Sequence, residues 1–218
     1  MGEVKILDLK KTILQDNDAD ANKLREELNE ENTFYVNVMS SPGSGKTTTI
    51  KKTIEMISDR VRTGVVEADI DSDVDAITMQ EAGIPVIQAH TGGMCHLDAD
   101  MSRQALRELG TVDLDLVILE NVGNLVCPAE FDTGAHRNVV ILSVPEGDDK
   151  PLKYPLVFET SQAVLINKID AAPVFDFDLE KAKEYILDRN PNAKIFPVSA
   201  VTGEGMYAWC EWLLEEVK

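Results

Sequence analysis

The segment Ser40-Ser41-Pro42-Gly43-Ser44-Gly45-Lys46-Thr47-Thr48 has the make-up of a polyphosphate cradle. Gly43 and Gly45 let the backbone curl, so that the N–H groups around Ser44 face one point and can hold oxyanions. Lys46 brings a cation to the outer phosphates, where a charge assists their cleavage. The Thr47 hydroxyl suits magnesium, and Thr48 carries the cradle into a helix. Such loops usually open on glycine, where this chain has Ser40. A plain glycine-rich turn would not need Gly-Lys-Thr at a helix start.

A second constellation lies far downstream. The apolar run Ala163-Val164-Leu165-Ile166 ends in Asn167-Lys168-Ile169-Asp170. A carboxylate at Asp170 can accept from guanine N1 and the 2-amino group. The Lys168 stem can cover the ring, and Asn167 can tie this loop to the phosphate loop. Adenine lacks that donor pair and would leave a buried acceptor unpaired, which is costly. A later run ends in Val198-Ser199-Ala200, where a backbone N–H at Ser199 or Ala200 can meet guanine O6. Motif order and strand context together predict a GTP-binding domain rather than an αβ turn that happens to be polar.

Leu114–Leu119 leads into Glu120-Asn121-Val122-Gly123. A carboxylate at Glu120 can hold magnesium directly or through water, and Gly123 can offer its N–H to the γ-phosphate. A second acidic group, Glu67, Asp69, Asp71, Asp73 and Asp75, follows the Val65-Val66 run. Most of these acids suit a solvated loop or a helix start. Asp69 and Asp75 are the chosen candidates for magnesium and for activating water. No glutamine follows Gly123 to orient water, so slow intrinsic hydrolysis is expected. Lys153, in Lys150-Pro151-Leu152-Lys153-Tyr154-Pro155, is a candidate charge supplied by a partner chain.

Cys95 and His96 sit in Thr91-Gly92-Gly93-Met94-Cys95-His96-Leu97-Asp98, and Cys127 in Gly123-Asn124-Leu125-Val126-Cys127-Pro128. Both segments should leave the same edge of a sheet, and thiolates with imidazole suit zinc or nickel. Neighbours in an extended chain point apart, so Cys95 and His96 can share one ion only if the chain turns after Gly92-Gly93. By spacing alone, with no C-x-x-C pair, two buried cysteines and a surface histidine are the favoured reading. Cys210 reads as a core residue of the last helix, and His90 and His136 as structural.

These loops need a frame. Seven short β-branched runs start near Phe34, Thr63, Ile84, Leu116, Val139, Ala163 and Ile195, and helical stretches separate most of them. The pattern predicts an α/β domain, with a mostly parallel P-loop sheet of about seven strands covered on both faces. Residues 33–218 form this domain; residues 1–32 form a short helical extension, with one amphipathic helix over Ala21–Glu30. The charge is strongly acidic, 21 Lys and Arg against 39 Asp and Glu, a net of −18. That balance argues against nucleic-acid binding and against anionic membranes. No run is long enough to span a bilayer, and three scattered cysteines favour reduced thiols, so a cytoplasmic protein is expected.

Four stretches, Ser-Ser-Pro-Gly-Ser-Gly-Lys-Thr, Gly-Gly-Met-Cys-His-Leu-Asp-Ala, Glu-Asn-Val-Gly-Asn-Leu-Val-Cys-Pro and Pro-Leu-Lys-Tyr-Pro, together resemble the HypB family. These are GTPases of nickel insertion into [NiFe]-hydrogenase, within the SIMIBI class, whose members commonly dimerise with GTP bound. The resemblance covers roughly residues 33–217. It implies a homodimer with nickel or zinc bound by Cys95, His96 and Cys127 at the interface. It also implies a HypA-type nickel carrier and the hydrogenase large subunit as partners. The first 32 residues carry neither a cysteine-rich nor a histidine-rich tract, so nickel storage is not expected of them. A urease-type nickel GTPase would not be expected to carry this Cys-His and Val-Cys-Pro pattern. A P-loop small-molecule kinase would lack Asn167–Asp170.

Overall fold

The computed structural model describes residues 9–69 and 74–218. Seven strands form one sheet: β1 (Phe34–Ser40), β2 (Thr63–Asp69), β3 (Val86–His90), β4 (Leu116–Glu120), β5 (Arg137–Ser143), β6 (Ala163–Asn167) and β7 (Lys194–Pro197). Their order is β3-β2-β4-β1-β5-β6-β7, and every pairing is parallel. The long helices are α1 (Leu9–Glu31), α2 (Lys46–Ile57), α3 (Val74–Glu81), α4 (Ala99–Leu109), α8 (Leu179–Arg189) and α9 (Met206–Glu216). Three short ones, α5 (Cys127–Glu130), α6 (Lys150–Lys153) and α7 (Pro155–Glu159), lie between β4 and β6.

Strand side chains alternate between the two faces. Val36, Val38, Ile118, Ile141 and Leu165 pack with α2 and α9. On the other face Tyr35, Val117 and Leu119 pack with α1 and α4, and Val140, Leu142 and Ile166 with α7 and α8. Both faces are covered, which is why the strands read as apolar runs rather than alternating ones. From central β1 the chain first builds β2, β3 and β4 on one side, then β5, β6 and β7 on the other. The carboxyl end of β1 is therefore the topological switch point, where doubly wound sheets bind ligands. The phosphate-loop sequence begins there, at Ser40.

The first helix departs from expectation in length. It runs from Leu9 to Glu31, straight through Asp16-Asn17-Asp18. Asn17 does not break it because its amide bonds outward, donating to the Asp132 carbonyl and accepting from Ala99 N–H, both at 2.9 Å. Ala21, Leu24 and Leu28 are buried against the sheet, and the Leu24 side chain fills the space a Cβ on Gly134 would need. Arg25 pairs with Asp132 and donates to the Ala135 carbonyl at 2.9 Å. His136 is structural, as expected: its Nδ1 accepts from Tyr35 N–H at 2.9 Å, its Nε2 meets Asn29 Oδ1, and its ring stacks on Phe34. Among the described residues, no helix is long and apolar enough to cross a membrane.

Candidate functional site

A cleft of about 640 Å³ opens at the switch point. It is lined by Gly43, Gly45, Lys46, Thr47, Thr48, Glu67, Asp69, Glu120, Gly123 and Lys168, among others. Gly43 and Gly45 have φ of 75° and 94°, a region that side chains disfavour. A Cβ on Gly45 would lie 2.7 Å from Asn167 Nδ2, so this glycine is also required by close approach. Ser40, the departure from the usual opening glycine, is fully buried. Its hydroxyl accepts from Ser44 Oγ at 2.6 Å and Lys46 Nζ at 3.1 Å, and donates to the Ser41 carbonyl. The extra hydroxyl thus parks the lysine head inside its own loop.

The two side chains expected at magnesium touch: Thr47 Oγ1 donates to Glu120 Oε1 at 2.8 Å. Asp69 lines the same cleft at the end of β2. Asp71 and Asp73 lie outside the described residues, as does the side chain of Asp75, whose backbone lies in the first turn of α3. Glu67 was passed over in the sequence in favour of Asp69. It is only 3% exposed and sits in register with Glu120 on the adjoining strand, so the two carboxylates share one face. An acid inside the apolar run Val65-Val66-Glu67-Ala68 was the available signal. Gly123 lies so close to the phosphate loop that a Cβ would meet Pro42 at 3.1 Å. A larger groove of about 1010 Å³ runs beside α2, past Ile84 and Leu114; it gathers no comparable set of convergent groups.

The Asn167–Asp170 segment reaches this cleft from β6. Asn167 Nδ2 donates to the Ser44 carbonyl at 2.9 Å and to Thr49 Oγ1 at 3.3 Å; its Oδ1 accepts from Ala200 N–H at 3.2 Å. One buried amide therefore ties together the phosphate loop and the two loops expected at guanine. Lys168 has φ of 63° and donates to the Gly43 carbonyl at 2.7 Å. Asp170 is exposed at the start of a 3₁₀ turn, and Ser199 is buried, its N–H donating to the Glu204 carbonyl.

A second constellation stands next to the cleft. The chain leaves β3 through Gly92 and Gly93, both left-handed at φ 64° and 95°. Thr91 clasps this turn, its carbonyl accepting from Met94 N–H and its hydroxyl donating to the Met94 carbonyl. The turn overcomes the opposed directions of neighbouring side chains: Cys95 Sγ lies 4.0 Å from His96 Nδ1. Cys127 arrives from the first turn of α5, and one ligand atom from each of Cys95, His96 and Cys127 lies within 4.8 Å of the others. All three are half-buried. The Cys95 thiol is held above its ordinary value, first by its hydrogen bond with the Cys127 thiol and then by burial; the Asn124 amide works the other way. His96 is held below the ordinary histidine value by burial, which outweighs the pull of Asp98 and Glu130. Its ring stacks on Phe131 with centroids 3.9 Å apart. A neutral imidazole is the form that ligates a metal. Cys210, on the buried face of α9, is pushed up to about 11 by burial.

Fold and site define a P-loop GTPase of the CobW/HypB/UreG group. The family profile described as "CobW/HypB/UreG, nucleotide-binding domain" matches residues 34–197. The hydrogenase maturation factor HypB of Azotobacter chroococcum mcd 1 is 43% identical over 98% of this chain and 70% of its own length. The chain belongs to the HypB family of hydrogenase maturation factors. Two solved structures agree. The Helicobacter pylori HypB in complex with nickel superposes with a TM-score of 0.87 and 39% identity, over 93% of this chain and 95% of that one. The HypB of Archaeoglobus fulgidus has a TM-score of 0.87 and 40% identity, over 94% and 100%.

Proposed function

We propose that this chain couples GTP binding and hydrolysis to nickel delivery in [NiFe]-hydrogenase maturation, with nickel as cargo held by Cys95, His96 and Cys127. The observation that carries the reading is the convergence of these three donors within 4.8 Å, next to a complete nucleotide cleft. Two thiolates and an imidazole suit nickel, and they suit zinc as well. One chain supplies three donors, whereas a closed zinc site usually takes four. A homodimer favoured by GTP, with the donors of both chains near its two-fold axis, resolves that deficit. A HypA-type carrier then supplies the ion and the hydrogenase large subunit receives it, in the cytoplasm, where thiols stay reduced. The G domain spans residues 33–218, with residues 1–32 as its extension.

Within the cleft, Gly43, Ser44, Gly45, Thr48 and Gly123 offer the phosphates their N–H groups, while Lys46 leaves Ser40 to meet the outer oxygens. Thr47 and Glu120 already touch, and Glu67 and Asp69 stand beside them. These are the hard oxygen donors that fit magnesium. Magnesium, when bound with GTP, neutralises charge on the phosphate oxygens. Asp69 or Asp75 orients the attacking water and takes its proton. Lys153 now pairs with Asp149 at 2.6 Å and must leave it to reach the other chain's nucleotide. Asp170 reads guanine, with Lys168, Ser199 and Ala200 around the base.

The test is metal and nucleotide titration of the whole chain, with molecular mass measured alongside. Lys46→Ala should abolish tight GTP binding and leave metal binding intact. Cys95→Ala and Cys127→Ala should do the reverse. Metal retained in both cysteine variants, or a GTP-loaded protein that stays monomeric, would contradict the reading.

A further inference from the structure

Asn124 stands between the two constellations and belongs to neither set of expected ligands. Three contacts make it a junction. Its backbone forms an antiparallel bridge with Ser40, the residue whose hydroxyl holds Lys46. Its side-chain amide donates to the Cys95 carbonyl at 3.4 Å, and its Oδ1 accepts from Val126 N–H at 2.9 Å, one residue before Cys127. It also follows Gly123 directly, and Gly123 packs against Pro42 of the phosphate loop. One residue thus holds the backbone beside both thiols while its own backbone is fixed to the phosphate loop. We infer that Asn124 is a positioning residue that transmits nucleotide state to the Cys95–Cys127 pair.

This inference rests on the proposed nucleotide and metal sites and names how one regulates the other. When Lys46 turns to the phosphates it leaves Ser40, and the γ-phosphate draws on Gly123. Either movement displaces Asn124, because Ser40 bridges it and Gly123 precedes it. Its amide bonds the backbones at Cys95 and Val126 together, so a shift of Asn124 changes how the thiols face each other. The effect must be reciprocal: whatever factor GTP exerts on metal affinity, metal exerts on GTP affinity. Couplings between sites typically amount to roughly 5- to 150-fold.

The test uses the full chain and nickel alone as the metal probe. Nickel affinity is measured with GDP and with a non-hydrolysable GTP analogue; nucleotide affinity is measured with and without nickel. The thiolate-to-nickel charge-transfer band reports geometry. The parent protein should show different nickel affinities in the two nucleotide states. In Asn124→Ala the ratio should collapse towards one, while nickel-free GTP affinity and the unfolding midpoint stay near the parent's. Asn124→Asp keeps an acceptor for Val126 N–H and loses the donor to Cys95, so it too should lose coupling, and its charge-transfer band should cease to respond to nucleotide. A parent ratio of one, or a ratio unchanged in both variants, overturns the inference. Loss of nickel binding in both variants and both nucleotide states also overturns it, since Asn124 would then be a structural prop. A parent protein that binds no nickel at all would instead refute the proposed function.

Discussion

Asn167→Ala is a sharp test of the nucleotide cleft, because a single buried amide holds three segments together there. The side chain is 2% exposed. Its loss strips the Ser44 carbonyl and Ala200 N–H of their amide partner, and Thr49 Oγ1 keeps only its bond to the Gly45 carbonyl. A buried polar group left unsatisfied costs about 1–3 kcal/mol. Two such groups set an upper range of about 2–6 kcal/mol, and a loop at the mouth of a cleft relaxes towards water, which brings the cost to about 2–3 kcal/mol. Expressed in the nucleotide-bound geometry, this weakens GTP by roughly 30- to 150-fold. Asn167→Asp keeps an acceptor for Ala200 but turns a carboxylate oxygen on the Ser44 carbonyl, so affinity should fall at least as far. Competition of GTP against a fluorescent GDP analogue, at fixed magnesium, measures the loss; urea unfolding shows how much falls on the fold instead. A GTP affinity equal to the parent's in the alanine variant refutes the reasoning.

Asp170→Asn removes a charge-assisted acceptor worth about 1.5–3 kcal/mol. GTP should therefore weaken by roughly 10- to 150-fold while xanthosine triphosphate gains; a competition assay in which xanthine gains nothing would count against Asp170 as the guanine contact. Leu24→Ala opens a hole over Gly134 and should cost about 2–5 kcal/mol in urea unfolding without changing GTP affinity, since α1 lies away from the cleft. His136 gives a pH dependence. Burial first, then Arg25, holds its folded value below the ordinary one. The unfolded chain therefore binds the proton first. The stabilisation is whole above the unfolded value near ~6.5 and is lost as pH falls from there through the folded value. His136→Asn keeps an acceptor for Tyr35 N–H, so it should flatten this acid limb in metal-free unfolding curves; an unchanged limb would show that another group carries it.

The sheet was legible because burial on both faces leaves continuous apolar runs, and each predicted run overlaps a strand. Ends were less legible. The run beginning at Ile84 becomes a strand only from Val86. Helix α4 starts only at Ala99, because Asp98 takes the N-cap and accepts from Met101 N–H. The first helix was underestimated because polar residues at Asp16-Asn17-Asp18 read locally as a break. The partners of Asn17, Asp132 and Ala99, are distant in sequence, so no local pattern contains the information.

The candidate site divides in the same way. Phosphate and guanine motifs are local, since each needs only a strand end and a few following residues; Gly43, Gly45, Lys46, Thr47, Thr48, Gly123 and Lys168 accordingly line one cleft, and Asn167 ties its phosphate loop to Ala200. Glu67 shows what local reading cannot supply. Five acids follow one another between residues 67 and 75, and composition ranks none of them. What singles out Glu67 is its pairing with Glu120, and that depends on β2 lying next to β4 rather than next to β1. Strand order is a property of the crossover connections. The same holds for Cys95 and Cys127: their spacing left two readings open, and their approach, with His96, to within 4.8 Å comes from the loops after β3 and β4, which follow strands that are not neighbours in the sheet. A site made by a loop's own backbone can be read from that loop, whereas a site made by two loops is fixed only when the sheet is ordered.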